Sequence, residues 1–525
     1  MKKLLTTRMY IALVLLALVL IFAFLIRSLH ITSLPVFVDE AIYIRWSQVM
    51  KAEPTLRFLP LSDGKQPLFM WVVIPFLKLF SDPLIAGRAV SILSGLGTII
   101  GIFILAHLLF KSKKVSLLAS LLYAVSPYGV FFDRLALVDS LLAMCGIWTF
   151  VFALLVVKTR RLDTALFAGF MLGAALITKS PALFFVILLL SVVIFIKNPR
   201  NNKLSSLYTI LLLSVSMGVS VVIFNLLRLG PNFHLIFSRN LDYVHPLSHI
   251  LTHPTDPFIS NFKEYLSWLK FFGPYPLFFM LIAAVLNSKK YPKQVLFLLL
   301  IALGPVLIQS EYSIAFTARY VLFTIPFLLI LAASSLLNLR VKYFVYIFII
   351  WFVVLAVYRD VVLITNPTAA DLPQNERSGY LEEWTSGFGI KEVSEKLIEI
   401  RDANPDQRIL VGTEGYFGTL PDGLQIYLEK QPNITVIGVG LGIKQVPVQL
   451  VEHKETGGRS FLVANSSRLA FEKDFDEMGL QVLAEYKKPD RTPGTHGYVQ
   501  NGLFDTFYLL ELIDSTTDFD IVLSQ

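Results

Sequence analysis

The chain has 525 residues, of which 55% are hydrophobic and only 16% charged, against about 25% charged in ordinary soluble domains. With a mean hydropathy of +0.65, this excludes a simple soluble enzyme and points to a polytopic membrane protein. The net charge of +8 does not imply nucleic acid, since cationic cytoplasmic loops alone produce such an excess, and a single cysteine, Cys145, allows no intramolecular disulfide.

The first stretch, MKKLLTTRMYIALVLLALVLIFAFLIRSL, carries the charge of a signal peptide. Its apolar core is too long for one, however, and no small-residue cleavage site follows, so it reads as a retained anchor. Crossing the hydrocarbon core takes about 20 apolar residues in a helix. Runs of that kind begin near residues 9, 86, 115, 139, 162, 181, 204, 267, 294, 320 and 342. The run at 67–80, PLFMWVVIPFLKLF, is short, opens on a proline and contains Pro75. It reads as an amphipathic or re-entrant segment, because counting it as a span would turn most of the cationic loops outward. With it set aside, MKK, KSKK, KTRR, KNPRNNK, NSKKYPK and NLRVK all fall on the N-terminal side, as the positive-inside rule requires of cytoplasmic loops.

The expected fold is therefore an α-helical polytopic protein of about eleven transmembrane helices with interfacial helices, its N-terminus cytoplasmic, in the plasma membrane. Residues 1–364 form the transmembrane domain, with a first outer loop at 30–85. Beyond residue 365 long apolar runs stop and Gly, Pro, Asp, Glu and Lys become frequent. There KEVSEKLIEI has helical spacing, while RILVG, ITVIGVG, SFLVA, LQVLAEY and FYLLELI read as short buried strands. Residues 365–525 are expected to form a soluble extracytoplasmic α/β domain.

The outer-face loops hold an unusual set of charges: Asp39, Glu40, Lys65, Arg88, Asp133, Arg134, Asp139, Lys179 and Arg319. Several stand within a turn or so of a span, where a bare charge is expensive unless paired or facing a wet cavity. Each has a plain reading beside the functional one. Asp39 would cap a helix beginning at Glu40, a role compatible with catalysis, although Ile42 at the third helical position gives no capping box. Asp139 would be a first-turn acid favoured by the helix dipole, and Arg88, Lys179 and Arg319 would be cations snorkelling at span ends. Their shared side is what the plain readings leave unexplained. His245, His249 and His253 recur four apart in HPLSHILTHP, but no carboxylate or cysteine is spaced to complete a metal site with them. The glycine-rich GTEGYFGTLPDG lacks the Gly-Lys-Ser/Thr of a phosphate loop and reads as an ordinary loop.

The acidic pair after the first span, the Lys-x-Pro-Leu entry to an interfacial helix, the arginine opening the next span, RLALVDSLL, TKSPAL and ARYVLFTIPFLLILAA together resemble GT-C glycosyltransferases. The likeness is to the branch of the protein O-mannosyltransferases and of the aminoarabinose transferases that modify lipid A, and it covers roughly residues 8–360. The resemblance implies an inverting transfer of a sugar from a polyprenyl-phosphate donor to an acceptor hydroxyl of a protein, lipid or glycan on the outer face. It assigns the base to Asp39, and the donor phosphate to Lys65, Arg134, Lys179 and Arg319.

The residues make chemical sense of that reading. An attacking hydroxyl must lose a proton, which a positioned carboxylate accepts, and a departing lipid phosphate gains charge that cations stabilise. Arginine suits a two-pronged phosphate contact and lysine a point charge. Glu40 is expected to orient the surroundings of Asp39 or pair with a cation. Asp139 is expected to bind Arg134, with Arg88 and Asp133 in supporting places. No cofactor is expected, although clustered carboxylates leave room for a divalent ion. Two other functions fit less well. A transporter or flippase would line a mid-membrane path and often show repeated halves; a glycan polymerase or ligase would move an oligosaccharide block.

Overall fold

The computed structural model describes residues 2–196, 203–286, 289–338 and 342–513. Of the cationic loops that set the expected orientation, residues 1, 197–202, 287–288 and 339–341 lie outside the described residues. The chain forms two compact units. One comprises Met1–Ile31, Met50–Lys78 and Gly87–Pro373; the other comprises Thr32–Val49, Leu79–Ala86 and Gln374–Gln525. Where the sequence suggests a single cut at residue 364, the observed partition is discontinuous, and the segment bearing Asp39 and Glu40 belongs to the same unit as the C-terminal residues.

Among the described residues, seven helices are long and apolar enough to cross a membrane: Met9–Ser28, Pro83–Phe110, Val138–Thr159, Lys203–Leu229, Pro292–Tyr312, Ala318–Leu337 and Tyr343–Thr365. Phe258–Phe272 and Pro276–Val285 make an eighth if counted as one span bent by 109°. The bend falls at Gly273, Pro274 and Tyr275, where prolines at 274 and 276 remove backbone donors from the helical ladder. Three further runs, Leu68–Leu79, Leu162–Leu176 and Ser180–Phe195, are shorter apolar helices. Fifteen helical residues extend only about 22 Å, less than the roughly 30 Å hydrocarbon core. The run from residue 115, expected as a span, is instead split into Lys113–Ala124 and Pro127–Phe132, the second opening at a proline.

The short helix Leu162–Leu176 lies against Lys203–Asn225 through Gly169 and Gly173, four residues apart. A Cβ on Gly169 would stand 2.7 Å from the Ser216 carbonyl oxygen, and one on Gly173 would stand 2.7 Å from Ile223 Cβ. The Ser216 hydroxyl donates to the Ala165 carbonyl at 2.8 Å. Small residues at this spacing let two backbones approach closely, the usual device where lipid removes the hydrophobic drive between helices. Deeper in the unit Phe150 meets Phe185, Phe297 and Phe327 edge to face, with centroids 5.9, 5.7 and 5.4 Å away, the geometry that aromatic quadrupoles favour.

The second unit is built on a five-stranded mixed sheet, β1 (Ile409–Glu414), β2 (Ile434–Gly440), β3 (Arg459–Asn465), β4 (Leu480–Lys487) and β5 (Thr506–Leu512), in the order β2-β1-β3-β5-β4. β1 runs parallel to β2 and β3, whereas β5 is antiparallel to β3 and β4. The near-continuous apolar runs of β1 and β3 match their burial in the middle of the sheet, and the edge strand β4 is largely exposed. The helical spacing read at KEVSEKLIEI is a helix, Ile390–Ala403. Residues 38–49 of helix Val38–Ala52 belong to this unit. Gln48 donates to the Ile426 carbonyl at 2.8 Å, Trp46 stacks on Phe417 at 5.6 Å, and the Val38 and Gly387 amides bond to Thr385 and Val36.

Candidate active site

In the second unit, the Asp39-Glu40 pair lies inside the first turn of helix Val38–Ala52. The Phe37 carbonyl accepts the first helical bond, from Ala41, so Phe37 is the N-cap and Glu40 the third helical residue. The Glu40 carboxylate, fully buried, receives the Phe37 amide at 3.0 Å, which is one half of a capping box. This corrects the reading that had Asp39 capping a helix from Glu40. Glu40 holds the helix start, and Asp39 stands beside it partly exposed, its carboxylate within the field of the helix N-terminus.

In the membrane unit the candidate residues separate into two groups. The first surrounds Tyr320. Lys179 Nζ sits 4.2 Å from the centre of the Tyr320 ring and 2.6 Å from Asp139 Oδ1. The Arg319 guanidinium carbon lies 5.3 Å from the same ring centre. Asp139 thus pairs with Lys179, not with Arg134 as the sequence suggested, and its other oxygen is buried without a hydrogen bond. The loop carrying Lys65 is tied to this region: Gln66 donates to Ser180 Oγ at 2.8 Å, and Asn240 donates to the same oxygen at 3.0 Å. Lys65 pairs with Asp63 at 3.3 Å, which also receives Arg239 at 2.8 Å. Between them Gly64 adopts φ +67° with Leu235 and Arg239 pressed against it, so a side chain there would be strained and would clash.

The second group closes the C-terminal end of the first helix. Arg134 donates to the carbonyls of Ile26, Leu29 and His30 at 3.0, 2.6 and 2.8 Å, and Arg88 donates to that of Ile31 at 2.5 Å. The Ile26 carbonyl is one of the orphan acceptors that a helix end leaves, and Leu29, His30 and Ile31 follow just past the last helical residue, Ser28. Asp133 forms a fully buried pair with Arg27 at 3.0 Å and receives the Tyr123 hydroxyl at 3.4 Å. Arg134 and Arg88 therefore stand as clamps on the end of the first helix. Asp360, almost fully buried, has neither oxygen hydrogen-bonded and lies within electrostatic range of Arg27 and Arg134.

Sequence reasoning missed Arg27, Tyr123, Tyr320 and Asp360. A signal existed for Arg27 and Asp360, ionisable residues inside apolar runs; none existed for the tyrosines, which only their neighbours in space distinguish. The three histidines stack face to face, with ring centres 4.2 and 4.9 Å apart. His249 bonds to the Asp256 carbonyl and His253 to the Thr252 hydroxyl, and no group of three or more metal-ligating side chains converges among the described residues.

Comparison with known proteins bears on this arrangement. Residues 64–224 match the family model described as dolichyl-phosphate-mannose-protein mannosyltransferase. The chain is also similar to two crystal structures of ArnT from Cupriavidus metallidurans. The apo form shares 14% identity with a TM-score of 0.56, over 97% of this chain and 98% of that one. The form bound to undecaprenyl phosphate shares 16% identity with a TM-score of 0.57, over 96% and 98%. The fold is that of a GT-C glycosyltransferase. No curated protein sequence matches the chain. The family-matched stretch carries Lys65, Arg88, Asp133, Arg134, Asp139 and Lys179, while Asp39, Glu40 and Arg319 fall outside it.

Proposed function

We propose that the chain transfers a sugar from a polyprenyl-phosphate donor to an acceptor hydroxyl at the outer face of the membrane, with inversion at the anomeric carbon. The observation that carries this reading is the pair of cations at Tyr320: Lys179 and Arg319 converge on one aromatic ring at the end of an apolar helix. A lipid phosphate leaving its sugar gains charge there, and preorganised cations in an apolar surrounding stabilise it more than water would. Lys65 adds a third positive group. Asp39 accepts the proton of the attacking hydroxyl. Arg134 and Arg88 act as positioning residues. Undecaprenyl phosphate, bound in one of the similar ArnT structures, supports a donor of this class.

The scheme needs no bound cofactor. If a divalent ion took part, chelation of the purified protein would lower transfer and added magnesium or manganese would restore it; unchanged rates after chelation support the metal-free route. The decisive assay incubates purified protein with radiolabelled polyprenyl-phosphate hexoses or pentoses and a membrane extract. Transfer of label is expected with wild type, and a loss of about 10²–10⁴-fold with Asp39→Asn, the range that a positioned base supplies, while donor binding persists. Equal transfer by both proteins removes Asp39 from the base role.

A further inference from the structure

Within the unit that contains the C-terminal sheet there is an open cavity of about 500 Å³, inside the span of about 300–1,000 Å³ usual for small-molecule sites. Such sites are mostly apolar. This one is walled by four side-chain amides, Gln374, Asn375, Gln500 and Asn501, together with Trp384 and Arg468, and serine and threonine hydroxyls fill the gaps. Amides and hydroxyls each present donors and acceptors at once. That pairing suits a ligand whose own groups both donate and accept, and it suits poorly an anion, which only accepts, or an aromatic base, which needs a dry slot.

The charges of the cavity are arranged to the same end. Glu383, the carboxylate on its wall, is neutralised by Arg491 through two bonds of 3.0 and 3.3 Å. Arg491 is itself fully buried and reaches Asp505 at 3.5 Å, and Asp505 is held by the amide and hydroxyl of Ser467 at 3.0 and 2.8 Å. The Lys488 ammonium donates to the Glu383 carbonyl at 3.0 Å. Beneath the polar wall there is thus a rigid ionic floor that contributes no net attraction for phosphate. Above it, Arg468 lies 4.6 Å from the centre of the Trp384 ring, and among the described residues its guanidinium makes no hydrogen bond. The amides of Gln500 and Asn501 and the imidazole of His496 likewise have no side-chain partner among the described residues. The result is a solvent-facing row of polar groups, His496, Gln500, Asn501 and the Arg468 guanidinium, beside one indole.

We infer that this cavity binds the end of a carbohydrate chain, its ring hydroxyls bridged by the amides of Gln500 and Asn501 and by the Arg468 guanidinium, with one sugar face against Trp384. The inference is independent of the transferase reading, because the cavity shares no residue with the proposed transfer site and its binding is measured without donor.

The test uses the detergent-purified full chain and a set of defined tetrasaccharides built from neutral hexose, N-acetylhexosamine or uronic acid, with inorganic phosphate alongside, followed by titration calorimetry and saturation-transfer NMR. At least one neutral saccharide is expected to bind. The Gln500→Ala/Asn501→Ala double variant and, separately, Arg468→Ala are each expected to weaken binding at least tenfold. Both alter solvent-facing groups, so an unchanged melting temperature should accompany the loss, and Gln500→Trp, which fills the cavity, should abolish binding. Three results overturn the assignment: no saccharide binds, the variants bind as wild type does, or phosphate displaces the saccharide by occupying the same residues. Transfer activity need not change for the inference to stand.

Discussion

At Lys179 the ammonium meets a carboxylate and an aromatic face together, and Asp139, its partner, is 3% exposed at the side chain. Replacing Lys179 by methionine removes the cation and leaves the aspartate buried alone, so Lys179→Met should lower stability by about 3 kcal/mol, read as a drop in melting temperature in detergent. Adding Asp139→Asn removes the stranded charge and should restore much of the stability without restoring transfer. That separation marks Lys179 as more than a structural ion. Glu40 gives the opposite pattern. Its carboxylate caps the helix that carries Asp39, so Glu40→Ala should cost about 1 kcal/mol while donor binding, measured by equilibrium titration with the lipid phosphate, stays unchanged. The charges themselves were legible in the sequence, because ionisable groups beside apolar runs are conspicuous. Their partners were not: Asp139 lies 40 residues from Lys179 and Arg27 lies 106 from Asp133, separations at which local spacing carries no information.

Helix Leu162–Leu176 shows what an element can and cannot reveal. Gly169 and Gly173 stand at a spacing visible in the sequence, but the face they offer acquires meaning only against Lys203–Asn225. Gly169→Val puts its branched carbon into the Ser216 carbonyl, and overpacking of that kind costs about 1–3 kcal/mol; a lower melting temperature should register it, whereas Gly304→Ala, where an added Cβ meets nothing, should leave stability intact. The five strands were read from short apolar runs closed by turn residues, and each is present. Their order in the sheet was not legible, since pairing depends on contacts between segments far apart in the chain. The run at residue 115 was read as a span on hydropathy, yet the Ser126-Pro127 step breaks it.

For the whole molecule, orientation and pH response are the testable properties. In a Cys145→Ser background, a cysteine at position 39 should react with an impermeant thiol reagent added outside intact cells; reaction only after the membrane is opened would reverse the orientation inferred from the cationic loops. In the C-terminal unit, burial lowers the Lys488 ammonium to about 8, against about 10.4 for an unfolded lysine. Between those values the unfolded chain binds more protons, so the contribution of this group to stability rises with pH across that window and is flat below it. Melting of the full chain from pH 7 to 10 should show this as a slope that Lys488→Met removes.

By itself the sequence determined a polytopic membrane protein with five short strands after residue 365, because hydropathy and strand length are local quantities that add along the chain. Only the tertiary structure decided that residues 32–49 fold with the C-terminal segment, that Glu40 and not Asp39 caps its helix, and that Lys179 chooses Asp139 and shares Tyr320 with Arg319. Each of those choices is a contact between distant segments, fixed by the requirement that a buried charge or an open helix end find a partner when the chain packs.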